Sequence, residues 1–124
     1  MDTLRLTKNF DLQEFTGSAE YPEIDNTPNA SQIQNLRSLC VEVLQPVRSF
    51  LNRPVQVTSG FRSEELNKAV GGVSGSLHKK GKAADIVVPD KDPQSLSRAI
   101  DLTDLPVEEN IPYPELGHVH LAQI

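Results

Sequence analysis

Ser76-Leu77-His78-Lys79-Lys80-Gly81-Lys82-Ala83-Ala84-Asp85-Ile86-Val87-Val88 is the stretch that decides the reading. Its second half is apolar and β-branched, bounded by Gly81 and Pro89, and so predicts a strand over Ala83–Val88. One residue does not belong to an apolar strand. A carboxylate such as Asp85 is costly to bury unless it is paired or coordinates a metal. Side chains alternate along a strand. Ala84, Ile86 and Val88 can therefore face a core while Asp85 turns to the other face with Ala83 and Val87. His78 sits in the Gly-, Ser- and Lys-rich loop Val73–Gly81 just before that strand.

The chain has three histidines, and the other two are His118 and His120. The final apolar run predicts a strand over His118–Ala122. Alternation there puts His118, His120 and Ala122 on one face and Val119 and Leu121 on the core face. Two histidine nitrogens and one carboxylate oxygen make a suitable zinc set. Three protein ligands leave a position open, which is the arrangement of a catalytic site rather than a structural one. From the residues alone, either C-terminal histidine can complete the set.

The rest of the chain predicts an α+β fold, with helices against a small, mostly antiparallel sheet. Asp11, with Glu14 three residues on, reads as a capping box for a short helix, and Thr16–Ala30 reads as loop. Ile33, Leu36, Cys40, Val43, Leu44, Val47 and Leu51 recur at helical steps, with Asn29 or Ser31 as the cap. Pro46 lies inside that pattern and predicts a kink or an end near Gln45. Pro54–Thr58 reads as a strand, Ser63–Val70 as a short helix stopped by Gly71-Gly72, and Asp92 or Pro93 to about Leu102 as another helix. Asp104–Pro114, with its three prolines, reads as irregular.

Composition narrows the class. The 124 residues, 37% hydrophobic and 23% charged, suit one globular domain over 1–124, with segment 1–30 packed on the rest. A net charge of −5 argues against a nucleic-acid binder. Lys79, Lys80 and Lys82 nevertheless form a local basic cluster. The single cysteine, Cys40, sits in the helical pattern and reads as a buried thiol, with no intrachain disulfide and no Cys-x-x-Cys site. No run reaches the roughly 20 apolar residues of a membrane span. Met1–Phe10 lacks a signal-peptide layout, so synthesis in the cytoplasm is expected, and action on a cell wall would follow export or lysis. A monomer is the expected state.

Thr58-Ser59-Gly60-Phe61-Arg62-Ser63, Leu66-Asn67, Val70-Gly71-Gly72, Ser76-Leu77-His78 and Gly81-Lys82-Ala83-Ala84-Asp85-Ile86 together resemble peptidase family M15. This family comprises zinc D-Ala-D-Ala carboxypeptidases and endolysin-type L-Ala-D-Glu peptidases. Asn9–Phe15, Ile24–Pro28 and Leu44–Arg48 are similar to its phage and prophage branch. The resemblance implies the hedgehog/DD-peptidase fold, a Zn2+ cofactor and cleavage of peptidoglycan stem peptides. It implies His78 and Asp85 as ligands, with His120 preferred over His118 because Gly117-His118-Val119-His120-Leu121 matches an aromatic-Val-His-Val ending. Glu115 becomes the candidate general base. Relatives with the acid three residues before the ligand would pair it with His118, whereas hedgehog-like relatives would pair it with His120. His118 is then a group beside the metal that stabilises an oxyanion, Arg62 a catalytic or substrate-binding cation, and Ser76 a substrate contact or a brace for the ligand loop. The alternatives are an inactive zinc-binding module of a phage particle or cell wall, and a metal-free interaction domain.

Overall fold

The computed structural model describes residues 4–124. Its main sheet is antiparallel throughout, in the order β3 (Gln56–Ser59), β4 (Ala83–Val87), β6 (His118–Ala122), β5 (Glu109–Tyr113). Val119, Leu121, Ala84 and Ile86 are buried on one face of it. Each large aliphatic side chain there contributes about 1.5–3 kcal/mol by leaving water. Ile86→Ala would lose that transfer energy and open a cavity as well.

Against this face pack the long helix and α5 (Pro93–Asp101), which contributes Leu96 and Ile100. Asp92 caps α5 by accepting from the Ser95 N–H, and Pro93 takes the first helical position, where no N–H is required. The long helix begins at α2 (Ala30–Leu39) with a full capping box: Asn29 accepts from the Gln32 N–H and Gln32 accepts from the Asn29 N–H. It does not end near Gln45. A π-helical turn over Cys40–Leu44, in which the Gln45 N–H bonds the Cys40 carbonyl, leads straight into α3 (Gln45–Leu51). The wide turn falls where Pro46 would break the ladder, because proline lacks an N–H and its ring crowds the carbonyl four residues back. Leu36, Leu39, Cys40, Val43, Leu44 and Val47 all reach the core. Burial pushes the Cys40 thiol up to about 12, with the charge of Glu14 adding to the effect.

The N-terminal segment departs most from expectation. It holds a small antiparallel pair, β1 (Arg5–Thr7) and β2 (Phe10–Asp11), before α1 (Gln13–Thr16). Asp11 lies in β2 and pairs with Arg5; it does not cap α1. Leu12 holds the cap position without a side-chain bond, although Glu14 does accept from the Asp11 N–H. Leu6, Phe10 and Phe15 join the core, and Gln45 fastens the pair by accepting from Thr7 Oγ1 and the Asn9 N–H.

Asp104–Pro114 also differs from expectation, because it contains β5. Pro112 is tolerated because β5 is an edge strand, where a missing N–H costs no ladder bond on the open side. Asn110 locks β5 to α5: its side chain donates to the Ser97 carbonyl and to Asp101, and it accepts from Ser97 Oγ. No helix of the described residues is long and apolar enough to cross a membrane.

Candidate metal centre

The face of the sheet opposite the core carries a row of side chains set by strand register. Ser59 pairs with Asp85, Asp85 with His120, and His120 with Ile111. Residues paired directly across antiparallel strands share a face, which brings Asp85 and His120 together. His78 arrives from outside the sheet, in a 3₁₀ turn over Leu77–Lys80. Ser76 caps that turn by accepting from the His78 N–H, and Gly81 closes it in the left-handed region at φ 76°. A side chain at Gly81 would also meet the Gln32 carbonyl at 2.6 Å.

Asp85 is the hub. Its Oδ1 lies 3.4 Å from His78 Nε2 and 3.1 Å from His120 Nδ1. Its Oδ2 lies 3.7 Å from His118 Nε2 and 3.8 Å from Arg62. Burial alone would raise the Asp85 carboxyl. The bonds from His120 and His78, with the charges of His78 and His118, outweigh burial and hold it well below the usual carboxylate range. His120 is shifted upward, chiefly by its bond to Asp85 against the opposing effect of burial, with Glu109 adding to the rise.

The outward nitrogens of the two histidines are already engaged. His78 Nδ1 lies 2.7 Å from the Gly60 carbonyl. A carbonyl can only accept, so that nitrogen carries the proton. His120 Nε2 lies 2.9 Å from Glu109 Oε1, which in a carboxylate likewise accepts. Neutral imidazoles in these tautomers direct His78 Nε2 and His120 Nδ1 lone pairs at an anionic oxygen. Three electron-rich atoms facing one another require a cation among them, or extra protons on the rings. His78, Asp85 and His120 each offer one ligand atom, and these atoms lie within 4.8 Å of one another. Two imidazoles and a carboxylate, each imidazole oriented by a partner on its other nitrogen, fit zinc.

The remaining candidate residues are placed as follows. His118 lies beside this trio, its ring 5.5 Å from that of Tyr113. Arg62 donates to Ser59 Oγ and Asn67 Oδ1 while facing Asp85. Ser76 lines the cleft, but its hydroxyl is engaged as the cap of the His78 turn. Glu115 is exposed in the turn between β5 and β6 and does not line the cleft, although Tyr113 and Leu116 on either side of it do. Lys79 is tied to Glu64 and to the Ser74 carbonyl, so it braces the loop.

Sequence reasoning missed Glu109 and Asn26. Glu109 lay in a segment read as irregular. Asn26 lay in a segment read as loop, yet its buried side chain donates to the Thr16 and Phe61 carbonyls and accepts from the Ser63 N–H. It fastens the N-terminal segment to the loop that carries Gly60 and Arg62. Composition marks neither residue, and Asn26 stood out only as part of the segment Ile24–Pro28. The only available cue for Glu109 was its even spacing from Ile111 and Tyr113.

Two open grooves, of about 250 and 320 Å³, meet at Arg62, Asp85 and His118. One runs past Val73 and Leu116, and the other past Ser18 and Glu20. Among solved structures, the Serratia marcescens L-Ala D-Glu endopeptidase ChiX is similar to this chain at 21% identity. The match covers 84% of this chain and 95% of that one, with a TM-score of 0.50. At that identity the likeness is one of fold. No curated protein matches the chain. The family described as Peptidase M15 matches residues 8–122, from the turn between β1 and β2 to the last residue of β6 and across every member of the site. The chain belongs to peptidase family M15.

Proposed function

We propose that this peptidase is a zinc-dependent endopeptidase of peptidoglycan stem peptides, with His78, Asp85 and His120 as the ligands. The observation that carries the metal reading is the convergence of two oriented imidazole nitrogens on the Asp85 carboxylate. Zinc, when bound, polarises a carbonyl and makes water nucleophilic near neutral pH. The grooves on both sides of Asp85 support an endopeptidase over a carboxypeptidase, because chain can extend in either direction. The L-Ala–D-Glu bond is the candidate bond, after the activity named for ChiX.

In this reading Arg62 and His118 flank the open side of Asp85 and donate to the scissile carbonyl oxygen as its charge grows. Arg62 is well suited, since Ser59 and Asn67 hold its guanidinium in place before any substrate arrives. Glu115 takes the proton from the attacking water and passes it to the leaving amine. Its neighbour Leu116 lines the cleft, and this reading requires the turn to bring the Glu115 carboxylate in when substrate binds.

Incubating the zinc-loaded protein with purified peptidoglycan and separating the products by chromatography tests the reading. New peptide termini at one stem-peptide bond are expected. Glu115→Ala should reduce release by at least about 100-fold, as loss of a general base does. His118→Ala should retain zinc and lose about 100- to 1,000-fold in rate, as loss of an oxyanion donor does. The exposure of Glu115 outside the cleft favours a second reading, a zinc-binding module without turnover. Fully zinc-loaded protein that releases nothing at any pH would establish that reading and remove the first.

A further inference from the structure

Glu109 is bound to His120 at 2.9 Å, yet it is neither a proposed ligand nor a group that meets the substrate. Its place follows from register. Ile111 pairs with His120, and Glu109, two residues earlier on β5, shares the face of Ile111 and stands diagonally from the histidine. The strand beneath it is held on both sides. Glu109 pairs with Ala122 of β6, and the neighbouring Asn110 is locked to Ser97 and Asp101 of α5.

Burial does not force the contact. The Glu109 side chain is 38% exposed, so water could satisfy its carboxylate. The His120 side chain is only 15% exposed, and Glu109 is the recorded partner of its Nε2 among the described residues. The geometry points to Glu109 as a positioning residue that holds His120 in the tautomer presenting Nδ1 to Asp85, and so raises the affinity of the site for zinc. A carboxylate behind an imidazole fixes ring orientation and makes the opposite nitrogen a better donor. The inference rests on the zinc reading above and adds a determinant of metal affinity to it.

The test uses the full chain and Zn2+ alone. Zinc dissociation constants are measured by competition with a chromophoric chelator, and the ring nitrogens of His120 are followed by 15N chemical shift in the zinc-loaded protein. Urea unfolding of the zinc-free protein reports any loss of fold. In E109A, zinc affinity should fall about 10- to 100-fold. Its zinc-free stability should stay close to that of the parent. E109Q keeps an acceptor oxygen, so its affinity should lie between the two. His120 should carry its proton on Nε2 in the parent protein, and in E109A the unanchored ring should divide between Nδ1-bound and Nε2-bound forms, seen as a mixture of tautomers. A merely structural role would shift unfolding without producing that order or that tautomer change.

Affinity in E109A equal to the parent, or a proton on His120 Nδ1 in the parent, overturns the assignment. If E109A does not fold, E109Q decides in its place. An amide is a weaker acceptor and can flip its NH2 toward the ring, so parental affinity in E109Q overturns the assignment too. A parent protein that binds zinc in this graded way but releases no stem peptide removes the peptidase reading and leaves this inference standing. Stem-peptide release with unchanged affinity in E109A does the reverse. A parent protein that binds no zinc removes both.

Discussion

His78 and His120 turn a nitrogen toward the same Asp85 oxygen, but they are held in unlike ways. His78 is 3% exposed and gives its other N–H to a backbone carbonyl, that of Gly60. That carbonyl belongs to a tightly packed seam. A Cβ on Gly60 would lie 2.7 Å from Phe15, the Phe61 N–H bonds the Phe15 carbonyl, and Asn26 clasps both sides of the seam. His120 lies on a strand near the sheet edge and is oriented by one half-exposed side chain, Glu109. The first proposed ligand is therefore tied to the packed fold, and the second to a single side chain at the sheet edge.

The largest expected effect lies where the two sides meet. Asp85→Ala removes the shared carboxylate, and His78→Ala removes the buried nitrogen. Each should abolish zinc retention through gel filtration, read by elemental analysis. An Asp85→Ala protein that keeps stoichiometric zinc would break the comparison at its centre.

The next effect separates the sides. Gly60→Ala overpacks the seam against Phe15 and should cost about 1–3 kcal/mol in urea unfolding of the zinc-free protein. It should weaken zinc binding as well, because the carbonyl behind His78 must shift. Glu109→Ala should weaken zinc binding alone. If Gly60→Ala lowers stability and leaves zinc affinity intact, the seam does not position His78.

The smallest effect is a pH dependence of the zinc-free protein. Asp85 is held below its unfolded value, so its contribution is complete above about pH 4 and is lost as pH falls through the lower folded value. His120 is held above its unfolded value, so its contribution is complete below about pH 6.5 and is lost as pH rises through the higher folded value. Stability without zinc should therefore be greatest between those limits and decline on either side. In Asp85→Asn both arms should flatten. Excess zinc should erase the alkaline arm, since metal binding replaces the protons on the ring.

The same contrast explains what could be read in advance. The His78 side was legible because its parts lie close together in the chain: the SGFRS-like loop, the capped histidine turn and the strand bearing Asp85 fall within residues 58–88. Period-two alternation placed Asp85 on the face opposite Ala84 and Ile86, and His118 and His120 on the face opposite Val119 and Leu121, as the structure has them. The β5 strand was not legible. Pro106, Pro112 and Pro114 mask its pattern, and only the open edge of the sheet makes Pro112 acceptable there. At Pro46 the sequence showed that the regular helix is interrupted near Gln45 but not that it continues, because a wide π turn can absorb what a regular α-helix cannot.

By itself the sequence determined which groups are chemically available. It supplies three histidines, one carboxylate stranded in an apolar strand, and a short Gly-, Ser- and Lys-rich loop that brings His78 just before that strand. These follow from local rules of alternation, loop composition and the cost of burying charge. Only the tertiary structure decided which nitrogen of each histidine faces Asp85, and what stands behind it. Those facts depend on the β4–β6–β5 register and on the packing of the N-terminal segment against Gly60, contacts between residues far apart in the chain. A shift of one residue in either register would send Glu109 or His120 to the opposite face.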